Sequence, residues 1–292
     1  MGASFRANPL SVDRLGQADL VETFAFLDAD PVLNVYLVAL TLRDALGQPR
    51  DEYWAARRDG RIVALLHLGG KSGAMLPVGE DDEALSRLGD QARLRLAFLP
   101  RCFQIIGPRA AVTPFVPRFA RSGLRPRLQR DQVYMDLSPG ALAPFERLSE
   151  LAPAHREDAD LVYESGAMLR AEELEEDPRE TDPLGYRQRV EEECRDGHTY
   201  LWKASDGLRF RTSVSAITAD AAQVSGVYTP PPLRNRGYAR RGLAELCTRL
   251  LERSRAICLF VNESNAPALA VYSGLGFRPR APWSSVFYDT AS

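Results

Sequence analysis

Gln223-Val-Ser-Gly-Val-Tyr228-Thr-Pro-Pro-Pro-Leu-Arg234-Asn-Arg236-Gly237-Tyr-Ala239 decides the reading of this 292-residue chain. Residues 223–228 have the β-branched and aromatic content of a strand. Three consecutive prolines then end it, because none can donate a ladder hydrogen bond. A helix follows. Ala239, Leu243, Leu246, Cys247, Leu250 and Leu251 fall on one face, and Arg240, Arg241, Glu245, Arg249, Glu252 and Arg253 fall on the others. A strand, a basic turn and a helix start together make an anion site, because the first helical amides lack internal partners and the macrodipole adds positive character there. Gly237 lets backbone approach a phosphate closely, and Arg234 and Arg236 add charge-assisted contacts. No Gly-Lys-Ser/Thr follows, and the Gly-x-Gly-x-x-Gly spacing is absent, so neither a P-loop nor a dinucleotide fingerprint is present.

Downstream, Ala256-Ile-Cys-Leu-Phe-Val261 reads as a strand, and Asn265 as the cap of a helix running through Leu269, Tyr272 and Leu275 to Gly276-Phe277. Arg234-x-x-Gly237-x-Ala239 in this context resembles the Gln/Arg-x-x-Gly-x-Gly/Ala signature of the GCN5-related N-acetyltransferase (GNAT) superfamily, as does the Asn…Tyr…Gly-Phe arrangement after it. The chain also resembles tandem members in which a divergent N-terminal domain precedes an intact one. The motif match covers the C-terminal third.

The resemblance implies α/β (α+β) architecture: two tandem domains, each a mixed, mostly antiparallel sheet flanked by helices. It implies acetyl-CoA as cosubstrate, with the pyrophosphate on the amides of Arg236, Gly237, Tyr238 and Ala239. Val227, Tyr228 and Thr229 would line the pantetheine arm, the backbone of Val227 and Thr229 pairing with its amides. Arg234, Asn235 and Asn265 complete the cofactor set, and Tyr272 would protonate the departing thiolate. The implied activity is transfer of an acetyl group to a primary amine by direct attack in a ternary complex. The alternative is a sensor or scaffold that binds acetyl-CoA without turnover. A plain structural module would require the Arg234 loop to be accidental.

The general base is not assigned. Residues 223–228 contain no acid, and Glu172 and Glu173, on an expected helix, are the candidates; the run Glu172 to Asp177 also reads as a solvated acidic face.

The halves repeat. Tyr53 to Gly60 parallels Tyr200 to Gly207 at an offset of 147, each a strand entering an Asp-Gly hairpin turn. Gly123-Leu-Arg-Pro-Arg127 parallels Gly276-Phe-Arg-Pro-Arg280 at an offset of 153, each followed by a short strand ending in Asp. A duplicated fold is expected, with domains 1–140 and 145–292 and a boundary in the stretch 138–153. In the first copy the phosphate loop would fall near residues 81–92. There the acids of Gly79-Glu-Asp-Asp-Glu83 would repel a pyrophosphate, and Phe119 or Arg121 stands where Tyr272 stands in the second. The first domain is expected to have kept the fold and lost the cofactor.

A net charge of −2 recruits neither nucleic acid nor anionic membrane, and makes a transferase of aminoacyl-tRNA type the weaker reading. The expected acceptor is a small-molecule or peptide amine. Met1 to Leu10 lack the blocks of a signal peptide, and no apolar run approaches a membrane span, so a cytoplasmic protein is expected. Cys247 and Cys258 read as buried reduced thiols. The three histidines follow no metal-ligand spacing, and no metal is expected.

Overall fold

Asp59 and Gly60 both have positive φ, +53° and +77°, the backbone of a two-residue hairpin turn. This turn joins β2 (Asp51–Arg58) to β3 (Arg61–Gly69). The second Asp-Gly joins β8 (Thr199–Ala204) to β9 (Gly207–Ile217), with Ala204 opposite Gly207. The computed structural model describes residues 10–290, and the two hairpins anchor its two compact units. One comprises residues up to Tyr134 together with those from Arg280 onward; the other is Met135–Pro279.

In the first unit, β1 (Ser11–Arg14) is followed by α1 (Leu20–Leu27), α2 (Val35–Asp44), the hairpin, β4 (Ala74–Gly79), α3 (Asp82–Arg93) and β5 (Cys102–Pro108). β1 to β4 pair antiparallel in succession, and β4 pairs parallel with β5. The chain leaves this unit within β6 (Leu128–Leu137).

The second unit repeats the order. β7 (Leu151–Pro153) is followed by α4 (Ala159–Leu174), α5 (Pro183–Asp196), the β8–β9 hairpin, β10 (Ala222–Tyr228), α6 (Tyr238–Leu251), β11 (Ile257–Asn262) and α7 (Ala266–Leu275). β7 to β10 are again antiparallel and β10–β11 parallel. The same pairing sense in the same order is the duplication expected from the two short repeats.

β12 (Arg278–Asp289) ends the description differently from a division at residues 140–145. From Trp283 to Asp289 it pairs antiparallel with β5, Trp283 opposite Pro108 and Asp289 opposite Cys102. Val286 and Tyr288 are fully buried among the first unit's apolar side chains. The Tyr288 ring stacks on Phe103 at 5.1 Å and meets Phe119 edge-on at 5.4 Å. The strand placed last by sequence therefore completes the core of the first unit. Along Trp283–Asp289 it pairs the backbone edge that β5 would otherwise leave open.

One helical face also differs from expectation. Glu245, read as solvent-facing, is only 2% exposed. The segment before β7 covers it: Arg147 Nε and Nη2 donate to its carboxylate at 2.8 and 3.0 Å, and the Leu148 amide donates at 3.1 Å. Arg249, one turn on, adds a fourth contact at 3.0 Å. The Arg147 guanidinium, with these further donors, holds the carboxyl down at about 2.

Two outcomes are expected. Tyr288→Ala destabilises the first unit by about 3–5 kcal/mol in denaturant titrations, and a chain stopped after Pro279 loses that unit's cooperative transition. Glu245→Gln costs about 2 kcal/mol at neutral pH, the scale of hydrogen bonds to a charge. Because the folded carboxyl titrates below its unfolded value, this difference from wild type is complete above about pH 5 and shrinks as the pH falls toward about 2. Thermal melts across that range measure it.

Candidate acetyl-CoA site

The parallel ladder between β10 and β11 has two residue pairs, Ala222 with Ile257 and Gln223 with Cys258. Beyond it β10 continues to Tyr228 and β11 to Asn262. On its other side β10 carries a bulge: the register passes from Ser225 opposite Ser213 to Tyr228 opposite Arg211, one residue in excess, with Gly226 at φ +60°. A bulge bends its strand and takes backbone groups off the ladder. The stretch Val224–Tyr228 thus has the character of a strand with ladder groups to offer an extended ligand.

After Tyr228 the prolines form a short 3-10 turn, Pro231–Leu233, and Arg234 is extended. Asn235 (φ +62°) and Gly237 (φ +82°) then turn the chain into α6. Gly237 is the N-cap and supplies no side-chain cap bond, so the first amides of α6 are left for an external acceptor. A Cβ at Gly237 would meet nothing within 4 Å, so positive φ, not crowding, is what favours glycine here. Residues 234–237 are exposed. Tyr238 is half-buried, its ring edge-on to Trp202 at 5.0 Å, and Ala239 begins the buried side.

Arg234 is held by protein groups. Its Nε donates to the Thr229 carbonyl at 3.0 Å, and its Nη2 reaches both carboxylate oxygens of Glu172 at 2.9 and 2.7 Å. The structure thus joins two residues expected to have separate roles, phosphate contact and candidate base. Val227 is half-buried on β10, and Thr229 is buried with an unpartnered Oγ1. The Tyr228 side chain points into the core under α4, its hydroxyl 3.5 Å from Met168 Sδ, so only its backbone can serve a ligand.

Tyr272 lies on α7, 7% exposed, with its ring 6.0 Å from that of Phe277. Burial pushes its phenol up, and the negative potential of Glu173 adds to this. Such a phenol keeps its proton throughout the neutral range. Asn265 caps α7, accepting from the Ala268 amide at 3.1 Å. Gln223, on the β10 stretch that contains no acid, is buried and donates to Ser215 Oγ at 2.9 Å.

The corresponding place in the first unit is built otherwise. β4 meets β3 in unbroken register, with no bulge. β5 runs so close to it that a Cβ at Gly107 would lie 2.9 Å from the Pro77 carbonyl. α3 follows β4 almost directly, in place of the loop expected at 81–92. Its N-cap Asp81 accepts from the Ala84 amide at 2.9 Å and from Arg58 at 2.9 and 3.1 Å. The chain's own carboxylate occupies the anion position. Phe119 is fully buried core, and Arg121 is exposed.

Sequence reasoning passed over Arg211, Glu193 and Ser213, which form a cluster behind the bulge. Gly226 inside a strand pattern was the available signal, since such a glycine marks a bulge or a close approach.

Among the described residues no group of three metal-ligating side chains gathers, and no helix is long and apolar enough to cross a membrane. Cys194, Cys247 and Cys258 are buried and Cys102 is exposed, and none of the four is in a disulfide.

Residues 213–287 match the family model of FR47-like proteins, the span from β9 to β12 that holds this site. Solved structures share the fold across nearly the whole chain. A tandem GNAT protein from the clavulanic acid biosynthesis pathway is 17% identical, with 97% of this chain and 100% of that one covered and a TM-score of 0.57. A GCN5-related N-acetyltransferase from Sphaerobacter thermophilus is 18% identical, covering 97% and 96%, at 0.59. A Drosophila protein, 11% identical over 96% and 98%, superposes at 0.69. No curated protein matches the sequence. The chain has the fold of the GNAT superfamily in its tandem form.

Proposed function

We propose that the second unit transfers an acetyl group from acetyl-CoA to a primary amine. One observation carries the reading: the short parallel ladder opens beside a bulged strand that leads straight into an uncapped helix start. That sequence of features suits a ligand with an extended amide-bearing arm and a pyrophosphate. The arm would lie along Val227 and Thr229, and the pyrophosphate on the amides of Arg236, Gly237, Tyr238 and Ala239, with Asn235 shaping the turn.

Catalysis of this kind is mainly positioning, with the amine held for direct attack on the thioester. The neutral amine nitrogen bonds to the acetyl carbon, the carbon–sulfur bond breaks, the thiolate takes the phenolic proton of Tyr272, and the new amide nitrogen gives up its extra proton as the phenol is restored. The protonated state of that buried phenol suits it to the task. The absence of an acid on β10 favours a second reading, an acetyl-CoA sensor without turnover.

Thermal unfolding with acetyl-CoA at 100-fold its Kd is expected to gain about 2.7 kcal/mol, a shift of several degrees. Gly237→Glu removes that gain; no shift in wild type would leave the fold without this function. CoA release on an amine panel, reduced in Tyr272→Phe, separates enzyme from sensor. Glu172→Gln frees Arg234 for phosphate and is expected to tighten acetyl-CoA binding about 2–5-fold, less at high salt. Calorimetric titration checks it, and weaker binding would exclude a competing role for Glu172.

A further inference from the structure

Behind the bulge of β10 lies a polar cluster in an otherwise apolar layer. Oε1 of Glu193, on α5, accepts from Ser213 Oγ at 2.9 Å, from Arg211 Nη2 at 3.1 Å and from Thr199 Oγ1. Thr199 Oγ1 and Ser213 Oγ are themselves 2.7 Å apart. Arg211 is 4% exposed; its Nη1 donates to the Val162 carbonyl at 2.9 Å, and its Nε is buried with no partner. A Cβ built on Gly226 would come within 3.5 Å of Ser213 Oγ, 3.9 Å of Leu169 and 4.0 Å of Arg211 Nη2. The bulge therefore opens directly onto a hydroxyl backed by a carboxylate.

From the geometry we infer that Glu193 is the proton acceptor for the attacking amine, reached through the Ser213 hydroxyl. The inference rests on the acetyl-transfer reading above. Along β10, at about 3.3 Å per residue, Gly226 to Val224 lie about 10–17 Å from Thr229, a length an extended pantetheine arm covers. The thioester then falls at the bulge. The amine gives a proton to Ser213 Oγ as Ser213 gives its own to Glu193. The neutral amine nitrogen then bonds to the acetyl carbon, the carbon–sulfur bond breaks and the sulfur takes the proton of Tyr272. The extra proton on the new amide nitrogen leaves, and the Tyr272 phenolate is reprotonated. Arg211 disfavours a second positive charge at the bulge, so an ammonium arriving there yields its proton more readily.

Two ionisable neighbours of Glu193 stay neutral in the working range. Burial pushes Tyr186 up to about 12 and Cys194 up to about 11.

The test follows CoA release with two kinds of nucleophile: primary alkylamines, which are protonated at pH 7, and hydroxylamine, which is not. Glu193→Gln is expected to lower kcat with alkylamines about 100-fold. It should change the hydroxylamine rate less than about 5-fold, with acetyl-CoA affinity retained. Ser213→Ala reproduces the selective loss, and Ser213→Thr, which keeps a hydroxyl, restores most of it. An equal loss with both nucleophiles would reduce the cluster to a structural role and overturn the inference alone. Wild type that binds acetyl-CoA yet releases no CoA with any nucleophile overturns the transferase reading, and this inference with it.

Discussion

The parallel contact between β10 and β11 stops after two residue pairs, and the candidate site depends on its stopping there. Backbone donors and acceptors in a half-buried strand need partners, and a strand that forgoes its ladder without compensation is destabilised. In the second unit the bulge at Gly226 takes the chain out of register where the ladder ends, so unpaired groups are confined to one short stretch. In the first unit the homologous strands stay in contact past their own two-residue ladder, with Gly107 against Pro77. One extra residue in β10 marks the difference between this strand and its counterpart β4.

The two helix starts that follow these strands make a matched comparison. α3 receives a carboxylate from Asp81, fixed by Arg58, and its amides are satisfied from within. α6 begins at a glycine that offers no such group. Electrostatically both ends call for an anion. The first supplies its own, and the second leaves the position to whatever arrives.

Much of this was legible in the sequence because it is local. Both Asp-Gly hairpins, the proline stop after Tyr228, the Asn265 cap and the repeated strand order follow from residue preferences within a few positions. What was hidden depends on distant chain. Glu245 sits at i+4 from Arg241 and i−4 from Arg249, so its helical face looks polar; only the return of residues 146–151 over it explains its burial. The pair Glu193–Arg211 joins a helix to a strand, and neither residue belongs to a motif. The placement of β12 was the least readable, because its repeat partner in the first half suggested membership in the second domain. A strand's sequence specifies that it must be covered, not which edge will cover it.

The path of the chain also sets an order of completion. Residues 135–279 form an uninterrupted stretch, whereas the other unit lacks Val286 and Tyr288 until the chain has been made beyond residue 288. Domains usually mature on the ribosome from the N-terminus onward. Here the half synthesised second can close first, while the half synthesised first waits, with β5 bare along one edge, for the final strand. Premature termination near the C-terminus would then spare the unit that carries the candidate site and strand the one that does not.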